Sequence, residues 1–193
     1  MVESRIPSSS TPRFNPNRPI PYQHIPPSRI PLTPLSFSSS YTPTVALPWL
    51  NLADAVIHLP HLTERERELA VLATLSRTRA AYAVYAHTRL SLAAGLSEAQ
   101  VSAALAGQSC ASTSSASADA LDSLSDSEKA VYEAALAMAG LQGPMGDEEF
   151  ARIESALGGR ERVGAVMHTV ASFLYVSVVM NVAGVGVPGE KNL

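Results

Sequence analysis

Thr63-Glu-Arg-Glu-Arg-Glu68-Leu-Ala-Val-Leu72-Ala-Thr-Leu75 is the stretch that decides the fold. Thr63 stands three residues before Glu66, the spacing of a capping box that opens a helix. Leu69, Leu72 and Leu75 then follow at helical spacing. The pattern repeats outward. A second helix is predicted from about Thr78 to Ala94, closed by Gly95. Ser97-x-x-Gln100 opens a third that ends at Gly107, and Ser125-x-x-Glu128 opens a fourth that ends near Gly140. Asp147 starts a fifth, to about Gly158, and Arg160 a last long one, to about Ala183. Upstream, Leu50 to Leu59 reads as a short apolar helix. No alternating strand pattern with hairpin turns occurs. The fold class expected is all-α, a helical bundle over residues 47–193.

Residues 1–46 read as a Pro/Ser-rich arm. Residues 1–48 hold eleven of the fourteen prolines and nine serines, with one acidic residue, Glu3, against four arginines. Repeated proline disfavours long helices and favours extended chain. Ser- and Arg-rich, acid-poor composition is also found in transit peptides, but these prolines disfavour the amphipathic helix such peptides form. The expectation is a cytoplasmic protein, with organellar targeting left open. Residues 108–127 carry eight serines and read as a linker within the domain.

Net charge is -3 and the sequence pI about 5.9. With no basic stripe, no nucleic-acid partner is expected. Val163–Val187 contains no Asp, Glu, Lys or Arg, and its length alone would span a bilayer. His168, Thr169, Ser172, Ser177 and Asn181 interrupt it, and no Lys/Arg cluster flanks it on one side. It is read as a helix buried in the core or between subunits, with no membrane partner.

Glu68 and His87 are nineteen positions apart, with Ala80 and Ala83 between them. This resembles the carboxymuconolactone decarboxylase and AhpD-like family, whose redox-active members carry Glu, eleven residues, Cys-x-x-Cys, three residues, His. Glu68 and His87 fall on that register, and Ala80 and Ala83 stand at the cysteine positions. The resemblance runs from about Leu47 to Pro188 and takes in Leu124-Ser-x-x-Glu128, Leu157-Gly158 and Asn181-Val-Ala-Gly. An acid near the start of the family's last helix and a Gly-Tyr pair in its middle are replaced here by Ala165 and Phe173-Leu174. The resemblance implies an AhpD-like bundle and a decarboxylase-like lyase acting on a small carboxylate or carbonyl substrate. It also implies a homo-oligomer, a trimer or hexamer. No cofactor is expected, since the chain has no Gly-rich phosphate loop.

Glu68 shares a helix face with Val71, Leu72 and Leu75, so its carboxylate is expected to point inward. Around His87 lie Ala80, Ala83, Val84, Leu90, Ser91 and Ala94, and the alanines leave room for a ligand. In an antiparallel helix pair the two would meet and could move a proton on a bound molecule. Tyr82 and Tyr85 are the candidates to donate to an oxyanion, one of them at most, and His168 is a secondary pocket residue. Two other readings stand. In one, Glu68 and His87 only satisfy each other, or Glu68 belongs to a solvated run, Glu64 to Glu68, and the domain is a binding or assembly module. In the other, the protein is a hydroperoxide reductase without the dithiol, for which the single cysteine, Cys110, would have to serve. Cys110 has no cationic neighbour in its linker sequence. Trp49 reads as a core anchor. No metal is expected: His58-x-x-His61 is broken by Pro60, and no Glu-x-x-His or His-x-x-x-His occurs.

Overall fold

The computed structural model describes residues 43–110 and 120–188. Among these, seven longer helices and no strand are present: α1 (Pro43–Ile57), α2 (Glu64–Thr78), α3 (Ala81–Ala93), α4 (Glu98–Leu105), α5 (Asp126–Ala139), α6 (Asp147–Leu157) and α7 (Arg160–Val182). The chain is all-α. Three starts carry reciprocal capping boxes, with Thr63, Ser97 and Ser125 accepting from the backbone of Glu66, Gln100 and Glu128.

The first helix differs from the sequence reading. It begins at Pro43, before the domain start expected at 47, and contains Pro48. Pro43 occupies the first helical position, where its missing N–H has no partner to lose. Pro48 forfeits one backbone hydrogen bond, and Ala46 and Val56 bury the same helix. The rest of the expected arm, residues 1–42, lies outside the described residues. So do residues 111–119 of the expected linker, whose end is helical again at 120–122.

The central element is α2, packed against α3, α4, α5 and α7. Every residue from Glu68 to Leu75 is buried, as befits a helix covered on all sides. The core around it joins Leu69, Leu72, Leu121, Val131, Tyr132 and Val166. α7 is buried on one face only. Val163, Val166, Val170 and Val176 turn inward, while Met167, Val178 and Val182 are 48%, 62% and 79% exposed. It is long and apolar enough to cross a membrane by length and composition, and 44% of its most apolar stretch is buried against the other helices.

The joint between α2 and α3 positions the site. Arg79 adopts a left-handed conformation, φ 52°, and its N–H donates to Leu75 O. It is the only non-glycine residue with positive φ among the described residues and turns the chain back after α2. Two α7 side chains hold this corner. Asn181 Nδ2 donates to Thr78 O at 2.9 Å, and Thr78 Oγ1 lies 3.0 Å from Ser177 Oγ.

The charge run at the start of α2 is not a solvated face. Glu66 is buried and accepts from Thr63 N, Ser127 Oγ and Arg162 Nη2 at 2.8, 2.5 and 2.7 Å. Arg65 Nε donates to Glu128 Oε1 at 2.6 Å. Burial works to raise the Glu66 carboxyl, but Ser127, Thr63 and Arg162 outweigh it and hold it below the usual range. Burial opposes Glu128 likewise, and Arg65 with the Ser125 backbone holds it low. Both folded values lie below the ordinary 4.5. The stability they contribute is therefore complete above that value and is lost as pH falls through the folded values. Acid titration followed by circular dichroism should show unfolding below about pH 4.5, at lower acidity in Glu66→Gln. A flat signal down to pH 2 would contradict this.

Candidate functional site

Glu68 projects from the buried middle of α2, and His87 stands on the second turn of α3. The two meet: His87 Nδ1 lies 2.9 Å from Glu68 Oε2. Ser91 Oγ, one turn further along α3, donates to the same oxygen at 3.3 Å. The Glu68 side chain is 8% exposed and that of His87 16%. A carboxylate oxygen accepts, so the hydrogen is assigned to Nδ1 and the lone pair to Nε2. Phe173 of α7 meets the ring in an edge-on contact, centroids 4.7 Å apart. His87 is thus held by a carboxylate, a helix and an aromatic ring. A ring that keeps one orientation suits proton transfer.

A cavity of about 200 Å³ opens beside it. α1 supplies one wall with Trp49, Ala53, Val56 and Ile57. The first turns of α3 supply Tyr82, Ala83, Ala86 and His87. Ser172, Phe173, Val176 and Met180 of α7 close the third side. Alanines at 53, 83 and 86 make this space, and Ala83 stands at one of the two places where the redox-active pattern has cysteine. The start of α3 has no side-chain cap.

The two tyrosines separate. Tyr82 lines the cavity. Tyr85 lies outside it, its ring 5.1 Å from the Arg89 guanidinium and its hydroxyl accepting from Arg89. His168 is exposed and borders a different groove of about 340 Å³, with Val45, Leu52 and Tyr175. That groove shares Trp49 and Ser172 with the first cavity. Trp49 therefore lines the pocket while packing against the smaller core cluster that includes Ala83 and Val176, with its ring centroid 5.9 Å from that of Tyr175. Sequence reasoning also passed over Phe173 and Ser172. The one available signal was the aromatic residue at the place of the family's Gly-Tyr pair.

The thiol lies elsewhere. Cys110 packs against the main core, and burial and the neighbouring Glu133 push its thiol up to about 12. It is a weak nucleophile. Among the described residues no three His, Cys, Asp or Glu side chains converge. His58 pairs with Asp54 and His61 with Glu161.

No curated protein and no solved structure matches the chain. Residues 43–126, from α1 to the first residue of α5 and including both Glu68 and His87, match the model of the Carboxymuconolactone decarboxylase family, and over that stretch the chain is similar to that family.

Proposed function

We propose that this protein is an acid/base enzyme in which His87 carries a proton to or from a small carbonyl or carboxylate compound. A decarboxylase-like lyase is the form nearest the family it resembles. The observation that supports this reading is the Glu68–His87 contact of 2.9 Å at the wall of a cavity. Glu68 holds the imidazole hydrogen on Nδ1 and leaves Nε2 as the ring's free nitrogen. Tyr82 is the hydroxyl placed to donate to an oxygen that gains charge as the proton moves. A pair that only tied α2 to α3 would need no open space beside the imidazole.

The test works without an identified substrate. The protein is incubated in D₂O with a panel of small ketones and β-keto acids, and deuterium at the α carbon and CO₂ release are measured. At least one compound should react faster than in buffer, and the acceleration should depend on His87. A panel with no accelerated member removes the reading.

The outer face of α7, with Met167, Val178 and Val182 exposed, is where we place a contact between copies of the chain. Exposed apolar surface of this kind, on a helix with no charged residue from Val163 onward, is what a homo-oligomer covers. Sedimentation should give a species of several subunits, and Val178→Glu should shift it toward monomer. A wild-type monomer at tens of micromolar would refute the contact.

A further inference from the structure

We infer that the cavity beside His87 takes an uncharged, largely apolar molecule about one ring in size, held by a single oxygen against His87 and Tyr82, and that it rejects carboxylates. The inference narrows the function proposed above to proton transfer on a neutral carbonyl compound, away from the carboxylate and decarboxylase-like form, and rests on that cavity being the working site. Its twelve lining residues include no lysine, arginine, aspartate or glutamate. Among its lining side chains only His87, Tyr82, Ser172 and the Trp49 indole carry nitrogen or oxygen.

No lysine or arginine of the neighbouring elements is among the residues that line the cavity. Arg65 bonds Glu128, Arg162 bonds Glu66 and Arg89 lies on Tyr85. Arg79 lines a different pocket, outside the wall formed by α3. The Glu68 carboxylate lies 2.9 Å from His87 Nδ1, and it has the wrong sign for an incoming carboxylate. A carboxylate moved from water into such a space has no partner to offset its lost hydration. The uncapped start of α3 favours negative charge by a factor of only a few. That attraction is outweighed by a desolvation loss of about a hundredfold or more in affinity.

Size follows from the volume. A dry apolar cavity of ~150 Å³ accepts benzene; about 200 Å³ accommodates one ring with a small oxygen-bearing group.

Trp49 is the only tryptophan in the chain and lies in the cavity wall, so its fluorescence reports occupancy. The probes are cyclohexanone, cyclohexanecarboxamide and cyclohexanecarboxylate at neutral pH. The last two share a shape and differ in charge. Both neutral probes should change Trp49 emission saturably, with the carboxylate at least about a hundredfold weaker. Ala86→Leu, which fills this cavity, should weaken the neutral probes tenfold or more. Ala171→Leu, on the neighbouring groove only, should not. Ala53→Leu fills the same space from α1 and replaces Ala86→Leu if that variant does not fold.

A carboxylate that binds within tenfold of the carboxamide overturns the inference. So does neutral binding lost in Ala171→Leu but kept in Ala86→Leu, and so does the absence of binding by either neutral probe. None of these readings involves turnover. A protein that accelerates proton exchange yet prefers the carboxylate keeps the proposed function and loses this ligand class. One that prefers the neutral probes without exchange does the opposite.

Discussion

A His87→Asn protein should lose proton transfer at the cavity by a factor of roughly 10² to 10⁴, the usual contribution of a positioned acid/base group. Its melting temperature should fall by only about 2–4 °C, the shift that ~1 kcal/mol produces in a domain of this size. Asparagine is chosen because its amide reaches about as far as Nδ1 and still donates to Glu68, so the buried carboxylate keeps a partner. What disappears is Nε2. Alanine would confound the test by stranding Glu68 with Ser91 alone. Glu68→Gln addresses the other half of the pair. Its amide nitrogen can donate to Nδ1, which moves the ring hydrogen to Nε2 and leaves the wrong tautomer facing the ligand. In a serine-protease triad that error costs about 10⁴; a more open site should lose roughly 10 to 10³. Rates measured by deuterium wash-in over pH 5 to 9 decide the matter. Equal rates in all three proteins would show that the pair only joins α2 to α3. Loss in His87→Asn with none in Glu68→Gln would keep the histidine and remove its carboxylate from the mechanism.

The features legible in the sequence were those carried by local chemistry. Thr63, Ser97 and Ser125 announced three helix starts because a capping box is closed within four residues. Gly95 marked the end of α3 because its φ of 92° suits glycine. The separation of Glu68 and His87 was readable because one short turn joins their helices. Features that depend on distant helices were not legible. Trp49 and Phe173 lie 124 positions apart, and only the packing of α1 on α7 brings them to one cavity. Tyr82 and Tyr85, three residues apart on α3, looked equivalent until Arg89 claimed the second. The start of α1 was missed because proline density was read as helix-breaking, although proline is favoured at the first helical position. The Glu64–Glu68 run looked solvated because its partners, Ser127, Glu128 and Arg162, lie some sixty to a hundred residues away.

That run sets the second large effect. Arg162→Ala should destabilise the domain by about 3 kcal/mol, the lower end of what breaking a buried ion pair costs. The low end applies because the Arg162 side chain is 29% exposed while that of Glu66 is 4%. Without the guanidinium, Glu66 keeps two neutral donors, Thr63 N–H and the Ser127 hydroxyl, around a charge that water cannot reach. In a domain of this size the loss should lower the melting temperature by roughly 6–12 °C. The reverse change is milder. Glu66→Gln leaves a neutral amide in the buried place and an arginine that can turn to solvent, a cost of about 1 kcal/mol. This asymmetry separates a buried charge from an ordinary surface pair, for which both changes would cost under about 1 kcal/mol. The double variant Glu66→Gln/Arg162→Ala should be more stable than Arg162→Ala alone, because the uncompensated charge is gone. Urea denaturation of the four proteins at pH 7 measures all three differences. Arg162→Ala no less stable than Glu66→Gln would mean that this network does not hold α2, α5 and α7 together through charge.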